Sequence, residues 1–291
     1  MQNKQKALLY IFSQANRSIS GKELTKWSFL VKKETSTGGG TAFYDFLPYH
    51  YGPFSFGLYY DVRSLLNQNY LDTVDNKQWK LSNCLDIDNL TKNIKSSIKD
   101  DIEKVLSKYA SQPIKKTVDY IYNKYPWFTI NSKPGSRMKR PSGSMALYTA
   151  GYEGTQIDGF LNFLLHSGVE RIIDVRKNPI ARRYGFHKST LNRLCNEVKI
   201  EYFHFPELGI PSSWRQDLNA QDDYNKLFNH YRAEILEQET GTIDKVAHLV
   251  IEKSTILICA EADHNFCHRS LLATTLANIT NLQIKHLRVR A

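Results

Sequence analysis

The chain has no apolar run near the roughly 18–20 residues that a membrane helix needs, so no membrane partner is expected. Glycine numbers 15 and proline 9 in 291 residues, too few for a collagen-like or low-complexity chain. Four cysteines make no disulfide scaffold at this length, and the expected compartment is the reducing cytoplasm. The opening MQNKQKALLYIFSQ is polar and then amphipathic, unlike a secretory leader. There is no internal repeat. There is no phosphate loop either, because Gly38-Gly39-Gly40 precedes an aromatic segment instead of joining a strand to a helix. What is present is an ordinary globular composition, 41% hydrophobic and 12% aromatic, with material for about two domains.

Acidic charge is also scarce, and unevenly so. Residues 1–145 hold 22 Lys and Arg against 12 Asp and Glu, a net of +10, whereas residues 146–291 hold 17 of each. The whole excess lies in the first half, which points to a polyanion contacted there, DNA before a membrane surface. The alternative is a basic surface that serves solubility. Between the halves, Asn131–Ser144 (NSKPGSRMKRPSGS) has one apolar side chain, Met138, and reads as a linker over residues 131–145.

Residues 1–130 read as a mainly helical, winged-helix-like domain. Ala7, Leu8, Ile11, Phe12 and Ala15 have helical spacing. Ser20 and Glu23 form a capping-box pair ahead of a second helix, and Ser55 begins a third. Pro48, Gly52 and Pro53 break the chain between them, Tyr70–Leu81 reads as a hairpin, and two helices broken near Pro113 follow. Residues 146–291 alternate between strands and helices, which predicts an α/β fold: a parallel sheet flanked by helices.

In such sheets ligands gather at the carboxyl ends of the strands. There the sequence places Tyr152 and Glu153, then Asp174 and Arg176, then Tyr202, His204 and Glu207. The last strand delivers Cys259 and Glu261 and leads on to Cys267, His268 and Arg269. These residues make up the pattern TxGYEG, IDVRxxP, YxHxPELG and CAExxxxxCHR. Over about residues 146–290 it resembles the family called domain of unknown function 488. The resemblance implies an α/β domain whose shared residues are Gly151, Asp174, Arg176, Pro179, Leu208, Gly209, Cys259, Glu261, Cys267, His268 and Arg269. Ile210 departs from it, standing where a second glycine is usual. The stretch Phe43–Leu71, with its YxYGPFS turn, resembles an antitoxin-like family of helical domains.

Carboxylates beside arginine and histidine suit acid–base hydrolysis. The candidate catalytic residues are Asp174, Glu261, Arg176, His268 and Glu153. Asp174 or Glu261 would polarise water or stabilise a cationic sugar, and His268 would protonate a leaving group. Arg176 and Arg269 would hold a phosphate by forked contacts. Tyr152, Tyr184, Phe186, Tyr202 and Trp214, with His204, would line a pocket for a base lifted from duplex DNA. The expected function is therefore a DNA-acting hydrolase, an N-glycosylase excising an ordinary or modified base from DNA gripped by the basic N-terminal domain, with no cofactor and no metal. The alternative is a DNA-binding regulator whose α/β domain senses a small nucleotide-like ligand. Cys259, His264, Cys267 and His268 do not have the C-x2-C spacing of a metal site, and thiol attack by Cys259 or Cys267 is a further option. Structural readings compete with each of these. Cys259 is then a core residue, Arg269 an ion-pair partner of Glu261, and Asp174 and Arg176 a rim salt bridge.

Overall fold

A computed structural model describes residues 1–75, 78–83, 85–216, 218 and 220–289. The chain forms two compact units, Met1–Lys139 and Arg140–Ala291. Among the described residues, no helix is long and apolar enough to cross a membrane.

The first unit is mostly helical. Its elements are α1 (Asn3–Ala15), β1 (Ile19–Ser20), α2 (Gly21–Glu34), β2 (Leu47–Tyr49), β3 (Gly52–Phe54), α3 (Phe56–Asn67), β4 (Leu71–Asp75), β5 (Gln78–Leu81), α4 (Ile87–Thr91), α5 (Ser96–Tyr109) and α6 (Ile114–Lys124). Ser20 accepts from the Glu23 amide, and the Glu23 carboxylate accepts from the Ser20 amide, so the expected capping box starts α2. Ser55 caps α3 through the Leu58 amide. Strands β1, β5 and β4 form an antiparallel sheet in that order.

The segment read as a chain break is itself a hairpin, with β2 paired to β3 and Pro48 opposite Pro53. A two-stranded ribbon tolerates residues that have no N–H to give. Gly52 supplies the positive φ, +85°, that the tight turn requires. Three helices, not two, span residues 87–124.

The segment read as a linker packs at both ends. The Asn131 amide group donates to the Pro48 carbonyl and the Lys133 N–H to that of His50, both within the first unit. Arg140 donates to the carbonyls of Val169, Val198 and Lys199 within the second.

The second unit holds β6 (Leu147–Gly151), α7 (Ile157–His166), β7 (Arg171–Asp174), α8 (Lys188–Glu197), β8 (Glu201–His204), α9 (Gln221–Tyr231), α10 (Thr240–Glu252), β9 (Thr255–Cys259), α11 (Arg269–Thr280) and β10 (Ile284–His286). The strands form one parallel sheet in the order β10-β6-β9-β7-β8, flanked by helices.

Strand alternation decides the core. Leu147, Ile173, Val175 and Leu257 face α10 and α11, against Val246, Val250, Leu272 and Leu276. Ile172, Ile256 and Ile258, equally buried, belong to the opposite face. Both faces of the central strands are thus covered, and the carboxyl ends of β6, β9 and β7 stand side by side. Gly151 ends β6 where the loop after β9 crosses it. A Cβ there would lie 1.7 Å from the Glu261 carbonyl oxygen, so only glycine lets that loop lie down.

Candidate functional site

The carboxyl end of β7 carries a closed knot. Asp174 is fully buried, and its Oδ1 accepts from the Arg176 backbone amide at 3.1 Å and from Arg176 Nε at 2.8 Å. Its Oδ2 accepts from the second arm of Arg176 at 2.5 Å and from the Tyr202 hydroxyl at 2.7 Å. The remaining guanidinium arm donates to the Tyr152 hydroxyl at 3.0 Å and the Phe186 carbonyl at 2.9 Å.

Burial, joined by the adjacent Asp174 charge, pushes the Tyr202 hydroxyl far up. The Arg176 guanidinium is pushed up despite its burial, because Asp174 holds it in the charged form. Phe186 is fully buried and stacks on Tyr152 with ring centroids 4.1 Å apart, while Arg176 lies over the Tyr152 ring. His204 Nε2 meets the Arg176 carbonyl at 2.8 Å. Asp174, Arg176, Tyr202, His204, Tyr152 and Phe186 are therefore brought together as the sequence suggested, but as one hydrogen-bonded core. Phe186 has no free face for a base, and Asp174 has no lone pair to spare for water.

A second group gathers around Glu261. Its Oε2 accepts from the Cys259 thiol at 2.9 Å and the Cys267 thiol at 3.0 Å. Its Oε1 is paired with Arg215 at 2.5 Å, and the other arm of Arg215 reaches His268 Nδ1 at 3.4 Å. His268 Nδ1 is 3.9 Å from Cys259 Sγ, and its Nε2 is 3.0 Å from the Val175 carbonyl. Cys259, Cys267 and His268 are all buried, and one ligand atom from each lies within 4.8 Å of the others.

Cys259, Cys267 and His268 thus stand at ligand distance although their spacing in the sequence is not that of a metal site. Seven residues of loop, 260–266, return Cys267 and His268 to the end of β9, because Arg269 donates to the Glu261 and Ala262 carbonyls inside that loop. Those contacts also correct the ion pair read between Arg269 and Glu261, since Arg215 takes the carboxylate. His264 stands apart, stacked on His286 with centroids 3.8 Å apart.

The hydrogen bond from Cys267, helped by His268 and Glu261, pulls the Cys259 thiol well below its usual range. Burial and the neighbouring Cys259 push Cys267 well above it. Although burial works against it, Cys259 raises His268. Arg215 gave no signal in the sequence, because it sits in a short helical turn, Ser212–Arg215, with no periodic pattern.

Two clefts open on either side of Glu261. One, about 360 Å³, is lined by Tyr152, Glu153, Ala181, Arg182, Arg183, Ala260 and Glu261. Within it Glu153 is exposed and accepts from the Ala262 amide at 3.1 Å, Arg182 is exposed, and Arg183 donates to the Thr155 carbonyl. Tyr184 is half-buried next to Arg183. The other cleft, about 310 Å³, is lined by Arg215, Glu261 and His268 on its polar side and by Ile210, Tyr224, Phe228 and Phe266 on its apolar side. Trp214 packs against His230 and the cluster of Ile210, Leu227, Phe228 and Tyr231.

No curated protein and no solved structure matches the chain, and nothing supports the antitoxin-like, winged-helix resemblance of the first unit. Asp174, Arg176, Glu261, Cys267, His268 and Arg269 all lie within the stretch where a family is identified. Residues 156–276 match the model of the family described as Domain of unknown function DUF488, so the second unit is similar to that family over this stretch.

Proposed function

We propose that the chain is a DNA-acting hydrolase that cleaves the bond between a base and its sugar, working in the cleft between β6 and β9. One observation carries this reading: two carboxylates, Glu153 and Glu261, and two arginines, Arg182 and Arg183, line one cleft of about 360 Å³ at the carboxyl rim of the sheet. Carboxylates there can activate water and stabilise a cationic sugar, while arginine can grip the flanking phosphate. Exposed Glu153 is the better placed base, since Glu261 is already held by Arg215 and two thiols. The water oxygen bonds to the sugar carbon as the base departs, and the base takes up the proton that Glu153 removes. Asp174 and Arg176 position the rim without touching substrate.

The basic first unit supports DNA as the substrate. Lys92, Lys95, Lys104, Lys108, Lys115 and Lys116 are all exposed on its α4–α6 region. The test incubates wild type and Glu153→Gln with several duplex DNAs, one carrying modified cytosines, and scores free bases by mass spectrometry and alkali-labile breaks on gels. Base release by wild type alone is the expected result. DNA that is bound yet left intact throughout would overturn the hydrolase in favour of a ligand-sensing regulator.

A further inference from the structure

We infer that Cys259, Cys267 and His268 form a zinc site at the carboxyl end of β9. Their donor atoms converge within 4.8 Å in a buried position, and two sulfurs with one imidazole nitrogen is a set that zinc favours. The histidine is already arranged as a ligand. A carbonyl can only accept, so Nε2, 3.0 Å from the Val175 oxygen, carries the ring proton and leaves Nδ1 as the basic nitrogen facing Cys259. Ligand histidines are generally oriented by such a bond from the far nitrogen.

Charge favours the ion as well. Two thiolates neutralise a divalent cation, while Glu261 keeps its own counter-charge in Arg215. With no ion, the buried pair of thiols share one carboxylate oxygen of Glu261, and His268 Nδ1, 3.9 Å from Cys259 Sγ, is the further polar contact.

The fourth position faces Glu261, the wall common to both clefts. A zinc-bound water would therefore meet substrate beside a carboxylate. That last step rests on the hydrolytic reading above, whereas occupancy by the ion does not.

The test uses the full-length protein, purified in reductant without chelator, with metal measured by mass spectrometry. Wild type should carry about one zinc per chain, and Cys267→Ser and His268→Gln should lose about tenfold or more of it. Cys195→Ser, at a buried thiol outside the set, should keep it. Because a cysteine variant can misfold, wild type exchanged into cobalt gives a second readout, a thiolate-to-cobalt charge-transfer band with the visible bands of a tetrahedral ion. Zinc-free wild type that shows no such band after cobalt is supplied overturns the site. Metal content is read without DNA, so its failure and the failure of the hydrolase reading are separable.

Discussion

Arg176 reaches back two residues and closes both oxygens of Asp174, so the two side chains form one buried ion pair at the end of β7. Removing one partner strands the other charge in the core. Asp174→Asn should therefore destabilise the protein by about 3–5 kcal/mol, measured by urea unfolding. A variant that melts like wild type while losing activity would return Asp174 to the catalytic role read from the sequence.

Glu153→Gln should behave in the opposite way. The carboxylate is exposed and makes a single backbone contact, so stability should change by no more than about 0.5 kcal/mol. Base release should fall by about 10²–10⁴-fold, the usual contribution of a positioned acid or base. Unfolding and product assays on the same preparation separate the two effects.

DNA binding should be electrostatic and sited on the first unit. Lys115 and Lys116, adjacent and exposed on α6, make a compact test. Changing both to Gln should weaken binding to all sequences alike and reduce the salt slope by about two, roughly one per lysine. An unchanged slope, read from binding isotherms across salt concentrations, would move the contact surface elsewhere.

Lys26 gives a pH dependence of known sign. It is buried and donates to the Tyr51 and Pro53 carbonyls at 2.6 and 2.9 Å. Burial, with Lys22 nearby, pushes its pKa down from 10.5 to about 7. Between those values the unfolded chain binds a proton that the folded chain does not, so this group's contribution to stability rises with pH across that window. Urea melts of wild type should strengthen from neutral to alkaline pH relative to Lys26→Met, in which this contribution is absent. Parallel curves for the two proteins would mean that Lys26 stays charged when folded.

The alternation of strands and helices was legible in residues 146–291 because each buried strand is a short apolar run and each helix carries a periodic stripe. Ser20–Glu23 and Ser55 were legible because caps are local chemistry. The β2–β3 hairpin was not, since proline reads as a breaker until its pairing partner is known. The candidate site was visible as a set of residue types at strand ends but not as a geometry. Which carboxylate is consumed in the core and which stays open depends on whether an arginine lies within reach. Arg176 is two residues from its partner, whereas Arg215 is 46 residues from Glu261. The convergence of Cys259 with Cys267 and His268 depends on Arg269 drawing the loop back through backbone carbonyls, and no spacing rule encodes that.

The bond from His268 to the Val175 carbonyl has a consequence for how the domain can vary. A side-chain acceptor could be lost in a single codon change, but a main-chain oxygen is present whatever residue occupies the position. Val175 is free to drift among apolar residues that fit the core facing α10 and α11 without releasing the imidazole. The histidine's orientation is thus inherited with the path of the β7 strand, and only a change that redirects that strand would undo it.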